Sequence, residues 1–573
     1  MKLLPQPEAL RQGRFGWPDL LVILVVLALL TLVARVGTEA MVRFQPPDVI
    51  PAVSLDPRQL PDYILRSTLR MFIALAASTL FSLLVGSLAA HNRQAETILI
   101  PVLDILQSVP VLGFLSISVS GFIALFPGSL LGLEAASIFA IFTSQVWNMT
   151  FAFHQSLRTV PKELTEAANL YQLSRWQRFS RLELPFAAIP LLWNAMMSFG
   201  GGWFFLAASE SISVLNTHYT LPGIGSYVTA AVAARVMRAL AWAIVAMALV
   251  ILLLDQLFWR PLVTWSDRFR LEQSGGEASG SWVHDLWRSA RLPALIAEAL
   301  APMIEGLDRL LSLLLGEAAE ESGAPEQARS TRLVQWSAGV LAGLLVTAAL
   351  HFILDSVGLA EVGKAFVLGL HTLGRVMLLL LAASLIWTPI GVAIGFRPGL
   401  ARLLQPLVLF LASFPANFLF PIATLIFLRA HVPIGWGSIL LMALGAQWYI
   451  LFNAIAGAQT IPSDLREMAD AVGLRGLQRW RRLILPGIFS AWVTGVVTAS
   501  GGAWNASIVA EVVSWGGTTL QAHGLGAYVA EATRQGDWPR ISLGIGLMSL
   551  LVVVINQLIW RPLHGMAQRR FHL

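Results

Sequence analysis

VPKELTEAANLYQLSRWQRFSRLELP (160–185) and IPSDLREMADAVGLRGLQRWRRLILP (461–486) are two versions of one stretch. Each has Pro in its second position, carries several basic residues and ends in Leu-x-Leu-Pro or Leu-Ile-Leu-Pro. Pro161 and Pro462 suit the first turn of a helix, and Glu163 and Asp464 place acid where the helix dipole favours it. A short charged helix followed by a basic, aromatic segment (Trp176, Trp480) therefore lies between long apolar runs on either side. Such a segment belongs outside a bilayer, at the headgroup boundary.

The whole chain agrees. Its 573 residues are 56% hydrophobic and only 13% charged, with a mean hydropathy of +0.69. Soluble domains carry about 25% charge, so the composition is that of a membrane protein. The net charge of +6 reads as the Lys/Arg excess of cytoplasmic loops rather than as a nucleic-acid footprint. The absence of cysteine excludes disulfides, thiolate metal sites and Cys nucleophiles. The N-terminus has a basic start and an apolar run without a well-placed small-residue cleavage site, which favours a retained helix over a signal peptide.

Spanning a bilayer takes about 20 apolar residues. Twelve runs qualify: 19–36, 70–90, 98–126, 130–153, 186–208 and 240–259, then 334–354, 376–394, 403–428, 434–455, 487–510 and 541–560. The expected fold is an all-α membrane protein of about twelve transmembrane helices in two sets of six. Counting from Lys2, Arg11 and Arg14 inside puts both quoted stretches, and the tails after Trp259 and Trp560, on the cytoplasmic side. The expected organisation is a transmembrane helix with an outer-side segment (1–67), a first domain (68–262), a cytoplasmic linker (263–332), a transmembrane helix (333–371) and a second domain (372–573). Gly/Ser/Ala/Glu-rich pieces in the linker flank 282–315, whose apolar residues recur at helical spacing. That segment is either an amphipathic helix on the membrane surface or one packed on the protein's own cytoplasmic face.

The two sets of spans are copies. A constant spacing of 301 residues carries Glu166 onto Glu467, Gly200-Gly201 onto Gly501-Gly502, Trp203 onto Trp504 and Glu210 onto Glu511. It also carries Gly223-x-Gly225-x-Tyr227 onto Gly524-x-Gly526-x-Tyr528, and Trp259-Arg260-Pro261 onto Trp560-Arg561-Pro562. Upstream, the pairs Thr68/Thr372, Ser108/Ser413 and Pro110/Pro415 need a shift of a few residues. Equal span counts make the repeats parallel, related by an axis along the membrane normal. A pore with two-fold pseudosymmetry follows.

The quoted stretches resemble the cytoplasmic loop of binding-protein-dependent ABC importer permeases, whose pattern is E-A-A, three intervening residues, Gly, then a basic helix. Here it reads Glu166-Ala167-Ala168…Gln172 and Glu467-Met468-Ala469…Gly473. The glycine pairs and the carboxylate beyond them are most similar to fused, duplicated members of the nitrate/sulfonate/bicarbonate type. The resemblance implies two tandem six-helix permease domains in a bacterial inner membrane. It also implies two copies of a cytoplasmic ATPase docked on the paired loops, and an extracytoplasmic solute-binding protein delivering a small anion. ATP and Mg would be held by the ATPase, and this chain would bind no cofactor and no metal. Two departures stand out: Gln172 where the turn glycine is expected, which implies a strained or differently shaped turn, and Met468 in place of the first alanine.

Candidate pathway residues are Gly200, Gly201, Trp203, Ser209 and Glu210, with Gly501, Gly502, Trp504, Asn505, Ser507 and Glu511. Intramembrane acids are costly and often line pathways. Glu210 lies about 37 Å along a helix from Pro185, however, which suits a solvated place at the outer interface equally well. The glycines serve either close helix packing or a break that opens a cavity. Gly358 to Ala365 nearly spells a phosphate-binding loop, but Ala365 stands where Ser or Thr must reach the metal and no strand precedes it. The chain is thus read as a transport subunit without ATPase chemistry. A secondary transporter or channel is the alternative, and it would need the intramembrane ion sites that this sequence scarcely offers. A scaffold would leave the twin loops without a purpose.

Overall fold

The computed structural model describes residues 53–127, 129–214, 217–269, 281–289, 292–315 and 325–570, with scattered positions between 19 and 31. Most of the first expected span, and residues 37–52, lie outside the described residues. The first half comprises α1 (Leu60–His91), α2 (Arg93–Ser108), α3 (Val111–Leu125), α4 (Leu131–Arg158), α5 (Lys162–Leu170), α6 (Arg175–Arg178), α7 (Leu184–Ser209), the hairpin β1 (Ser211–Val214) and β2 (Thr217–Thr220), α8 (Ile224–Ala233), α9 (Met237–Leu254) and α10 (Arg260–Ser266). The linker supplies α11 (Trp282–Ser289) and α12 (Leu292–Leu315). The second half repeats the order: α13 (Pro325–Gly395), α14 (Pro398–Ser413), α15 (Phe420–Ala430), α16 (Ile434–Gln459), α17 (Ser463–Ala471), α18 (Gly476–Arg479), α19 (Leu485–Ala510), β3 (Val512–Trp515), β4 (Thr518–Gln521), α20 (Leu525–Gln535), α21 (Trp538–Ile555) and α22 (Arg561–Arg570). From α5 onward the two series start at a constant spacing of 301 residues. The chain is an all-α membrane protein with two small hairpins.

Among the described residues seven helices are long and apolar enough to cross a bilayer, or eight counting one bent pair. The expected span 98–126 is that bent pair: α2 and α3 meet at 88° across Val109 and Pro110. Proline lacks an N–H and pushes the residue before it out of the helical region; Val109 is accordingly extended, with ψ 123°. The span 403–428 is interrupted in the same way, by extended Phe414, Pro415 and a 3-10 turn at Ala416–Phe418. The runs 334–354 and 376–394 both fall in α13, which is helical except at Gly358 (φ 74°, ψ 165°). That glycine is a kink, and the near-miss phosphate loop is helix on its far side.

The recurrent X-Pro pairs have a structural reason. Leu184-Pro185, Arg260-Pro261, Leu485-Pro486 and Arg561-Pro562 each follow a π turn, at Phe179–Glu183, Asp255–Trp259, Trp480–Ile484 and Asn556–Trp560 respectively. A proline ring in a regular helix collides with the carbonyl four residues earlier. The wider π turn relieves that collision, so the helix runs through the proline without breaking.

The helices α1, α4 and α7 form one bundle and α13, α16 and α19 its counterpart. The halves then exchange their bent elements. Val111, Leu112, Leu115 and Val119 of α3 lie in one core cluster with Leu379, Leu441, Met442 and Trp504 of the second half. Phe418 sits in the first-half cluster with Met71, Phe199 and Trp203. Gly200 is buried because α14 crosses there: a Cβ at Gly200 would overlap Ser413 Oγ. Its repeat partner Gly501 is exposed, with no heavy atom of the described residues within 4 Å of such a Cβ.

This difference is testable. Helix propensity alone favours Ala over Gly by about 0.5–1 kcal/mol. Gly501→Ala should therefore keep or raise the apparent unfolding temperature, while Gly200→Ala lowers it; equal responses in tryptophan-fluorescence melts would contradict the crossing.

Candidate functional site

Two buried charge clusters sit at the ends of α7 and α19, on the side away from the basic stretches. In the first half Arg70, within α1, reaches across the bundle. Its Nε and Nη2 donate to the two oxygens of Glu134 on α4, both at 2.6 Å. Its Nη1 donates to Glu210 at 2.6 Å and to the carbonyl of Pro222 at 3.0 Å. Glu210 also accepts from Ser67 Oγ (2.5 Å) and from the backbone N–H of Gly225 (2.7 Å). Ser67 in turn accepts from the N–H of Ile224. The second half matches: Arg375 Nη1 donates to Glu511 (2.7 Å), and its Nη2 donates to the carbonyl of His523 (3.0 Å). Thr372 and the N–H of Ala527 complete the set around Glu511.

These contacts explain the repeated Gly-x-Gly-x-Tyr. A Cβ on Gly223 or Gly524 would overlap the carboxylate of Glu210 or Glu511. A Cβ on Gly225 would stand 2.5 Å from the carbonyl of Ala207, so that glycine sets how closely α8 approaches α7. The carboxylate thus enters the N-terminal turn of the following helix, where N–H groups lack intrahelical acceptors.

Both acids are fully buried and ion-paired, which corrects the reading of either as solvated at an interface. Each ties the first helix of its half to the segment after the hairpin. The partners were hidden in sequence because Arg70 and Arg375 sit near the ends of apolar runs, although an intramembrane arginine is itself a signal that a carboxylate must meet it. The contacts also correct one pairing of the repeats: Ser67, not Thr68, is the counterpart of Thr372. Both precede their arginine by three residues.

The remaining pathway candidates divide. Trp203, Trp504, Ser209 and Ser507 are buried inside the bundles, with Ser209 paired to Ser137 at 2.8 Å. Asn505 caps the other half: its Oδ1 accepts from the N–H of Val111, at the start of α3, at 2.8 Å. The glycine runs lie in unbroken helix: Gly200 and Gly202 are close-packing positions, whereas a Cβ on Gly501 would meet no heavy atom of the described residues within 4 Å and one on Gly502 only Tyr449. Gly201 faces the second half, where Tyr449 of α16 stands 3.1 Å from a Cβ built on it, and the same tyrosine stands 3.8 Å from a Cβ on Gly502.

On the opposite side lie the two charged stretches, folded alike. α5 and α17 bury the small residues Ala168 and Ala469 and expose Glu166 and Glu467. Ala469 packs on Val392, Ile461, Leu483 and Ile488, which is why a small residue stands there. Ala167 is half-buried, whereas Met468 at the matching place is exposed. Leu170, Tyr171 and Val472 are also largely exposed at the helix ends. The turns are closed identically. Gln172 has φ 51° and Gly473 φ 74°, both left-handed. The N–H of Gln172 donates to Asn169 O and that of Leu173 to Ala168 O, as Gly473 does to Asp470 O and Leu474 to Ala469 O. The expected difference in turn shape is thus absent: Gln172 adopts the glycine conformation and bears its strain.

The linker segment 282–315 is two helices, and α12 packs back on the protein. Asp308 accepts from Trp176 Nε1 at 2.6 Å and from Arg181 at 3.3 Å, holding α12 against α6 of the first half. At the place of Trp176 the second half has Leu477, which is largely exposed. No group of three or more His, Asp or Glu that could hold a metal occurs among the described residues.

The family model described as binding-protein-dependent transport system inner membrane component matches twice, at residues 78–258 and 387–561, together more than half of the chain. Relatives include the nitrate import permease protein NrtB of Leptolyngbya laminosa, 27% identical over 188 residues (33% of this chain, 64% of that protein). The bicarbonate transport system permease protein CmpB of Synechocystis sp. is 28% identical over 186 residues (32% and 63%). The taurine transport system permease protein TauC of Escherichia coli is 26% identical over 186 residues (32% and 64%). The chain thus spans just under two thirds of the length of each.

Two measurements follow from this geometry. Removing one partner of a buried ion pair costs about 3–5 kcal/mol. Among the described residues, Glu511→Gln leaves Arg375 without a carboxylate, whereas Glu210→Gln leaves Arg70 with Glu134. Glu511→Gln should therefore lower the apparent unfolding temperature more, and the reverse order would contradict the cluster assignments. Gln172→Gly should stabilise the chain by about 1 kcal/mol by releasing the left-handed strain, whereas Gly473→Gln should destabilise it by a similar amount.

Proposed function

The chain belongs to the family of binding-protein-dependent transport system inner membrane components, and from that premise we propose that it is the fused permease of an ATP-driven importer of a small anion. The observation that carries this reading is the matched pair of exposed helices, α5 and α17, each joined by a closed left-handed turn to a short helix, α6 or α18, that runs through a π turn into α7 or α19. A rigid-body displacement of either short helix moves a membrane-crossing helix with it. Two copies of an ATPase seated on Glu166, Gln172, Glu467 and Gly473 and their exposed apolar neighbours would rock the halves. ATP and Mg would be held by those partners.

In this reading the basic stretches face the cytoplasm, the hairpins face outward in a bacterial inner membrane, and a solute-binding protein delivers its cargo at the hairpin side. The pathway runs between the halves, past Gly201, Gly501, Gly502 and Tyr449. The buried acids Glu210 and Glu511 present no free negative charge to an anion, because each is consumed by its arginine. The anion class rests on the names of the relatives, a nitrate import permease and permeases of bicarbonate and taurine transport systems, taurine contributing an anionic sulfonate.

Reconstitution tests the proposal. Proteoliposomes holding the chain, its ATPase and a binding protein should take up labelled substrate only with ATP inside the ATPase-accessible compartment. The double variant Glu166→Ala/Glu467→Ala should abolish ATPase co-purification and uptake together. Uptake that persists without any ATPase would establish a gradient-driven transporter instead.

A further inference from the structure

The two charge clusters differ by one carboxylate. The spacing of 301 residues that relates α4 to α16 places Gly435 where the first half has Glu134. Helix packing supports that register: Gly86 of α1 faces the carbonyl of Thr150 as Gly391 of α13 faces that of Leu451, again 301 residues on. The backbone acceptors Pro222 O and His523 O stand at the same spacing, met by Nη1 of Arg70 and by one N–H of Arg375 Nη2, whose second N–H is left for another acceptor.

Arg70 is thus enclosed by two acids, one of them holding its Nε and Nη2 in a fork. Arg375 has Glu511 on Nη1 and His523 O on Nη2, and the described residues give its Nε no acceptor. A Cβ built on Gly435 would lie 3.7 Å from Arg375 Nη2, with no other heavy atom of the described residues within 4 Å. The side chain of Arg375 is 12% exposed against 2% for Arg70. The Nη2 side of the guanidinium therefore lies toward Gly435 in the first turn of α16, where the N–H groups of Trp436 and Gly437 already donate to the carbonyl of Pro433.

The geometry points to a binding site for a small planar oxyanion at the hairpin end of the second half, between Arg375 and Gly435. Its ligand takes the place that the Glu134 carboxylate takes in the first half. Two oxygens at carboxylate spacing meet Nε and Nη2 in the fork arrangement that guanidinium favours, so formate, nitrate or bicarbonate fits and a monatomic ion does not. Bound there, the anion ties α16 to α13 as Glu134 ties α4 to α1. This site does not rest on the transport reading: it binds whether or not the same anion is carried across.

The test is anion-dependent thermal stability of the full-length chain in lipid nanodiscs, with nitrate or formate titrated against chloride at constant ionic strength. A saturable rise with nitrate and formate, not with chloride, is expected. Gly435→Glu supplies the missing carboxylate, so it should raise the starting stability and weaken the nitrate response at least about tenfold in midpoint. Arg375→Lys keeps the charge but loses the fork, and should weaken the response similarly. Glu134→Gly makes the first half like the second, and its lowered stability should be restored by formate. A nitrate response unchanged in Gly435→Glu, no preference over chloride in the native chain, or no formate rescue of Glu134→Gly would each overturn the site. Loss of uptake in proteoliposomes with this response intact would overturn only the transport reading.

Discussion

A carboxylate that cannot reach water has to be matched inside the protein, and two such carboxylates organise this chain. Glu210 and Glu511 stand at the ends of long apolar helices with no exposed surface. An isolated ionised group in that setting is prohibitively costly. Each is offset by an arginine from a distant helix, a hydroxyl one turn earlier on that helix, and backbone N–H groups of the helix that follows the hairpin. The glycines of the Gly-x-Gly-x-Tyr segments, the small residues at the ends of α7 and α19, and the position of the hairpins follow from bringing those groups together.

At the opposite side a different constraint operates. The charged stretches must leave the bilayer, turn and re-enter without losing mechanical continuity. Left-handed Gln172 and Gly473 make the turns, and π turns carry the chain through Pro185 and Pro486 into the long helices. The short helices α6 and α18 thus run on into the long ones, and α17 is held near the start of α19 by the cluster of Ala469, Leu483 and Ile488. The first of the two is further braced by α12 through Asp308, so the repeats are equal in backbone and unequal in support.

Duplication preserved the backbone more faithfully than the chemistry. The hairpins, π turns and turns recur at one spacing, yet Gly435 stands for Glu134, Leu477 for Trp176 and Met468 for Ala167. The half-to-half contacts are unequal as well. Asn505 caps α3 through its side chain, whereas Asn417 reaches the carbonyl of Phe204 in the other direction. The two halves thus share one backbone pattern and face each other with chemically distinct surfaces.

The sequence by itself determined the membrane class, the duplication and the two charged helices, because each is written in local composition, spacing or periodicity. Some spans, such as 186–208, 434–455 and 487–510, were legible to within a few residues of their helices. It did not determine that 98–126 and 403–428 are broken, since hydropathy ignores the missing N–H of Pro110 and Pro415. Nor could it show that Glu210 and Glu511 are buried: their partners Arg70 and Arg375 lie more than a hundred residues away, and only packing brings them within a hydrogen bond. The same holds for Gln172, whose left-handed backbone is imposed by the turn that its neighbours close. Local pattern sets what each segment is; the pairing of charges across the bundle, a long-range matter of desolvation, decides what those residues do.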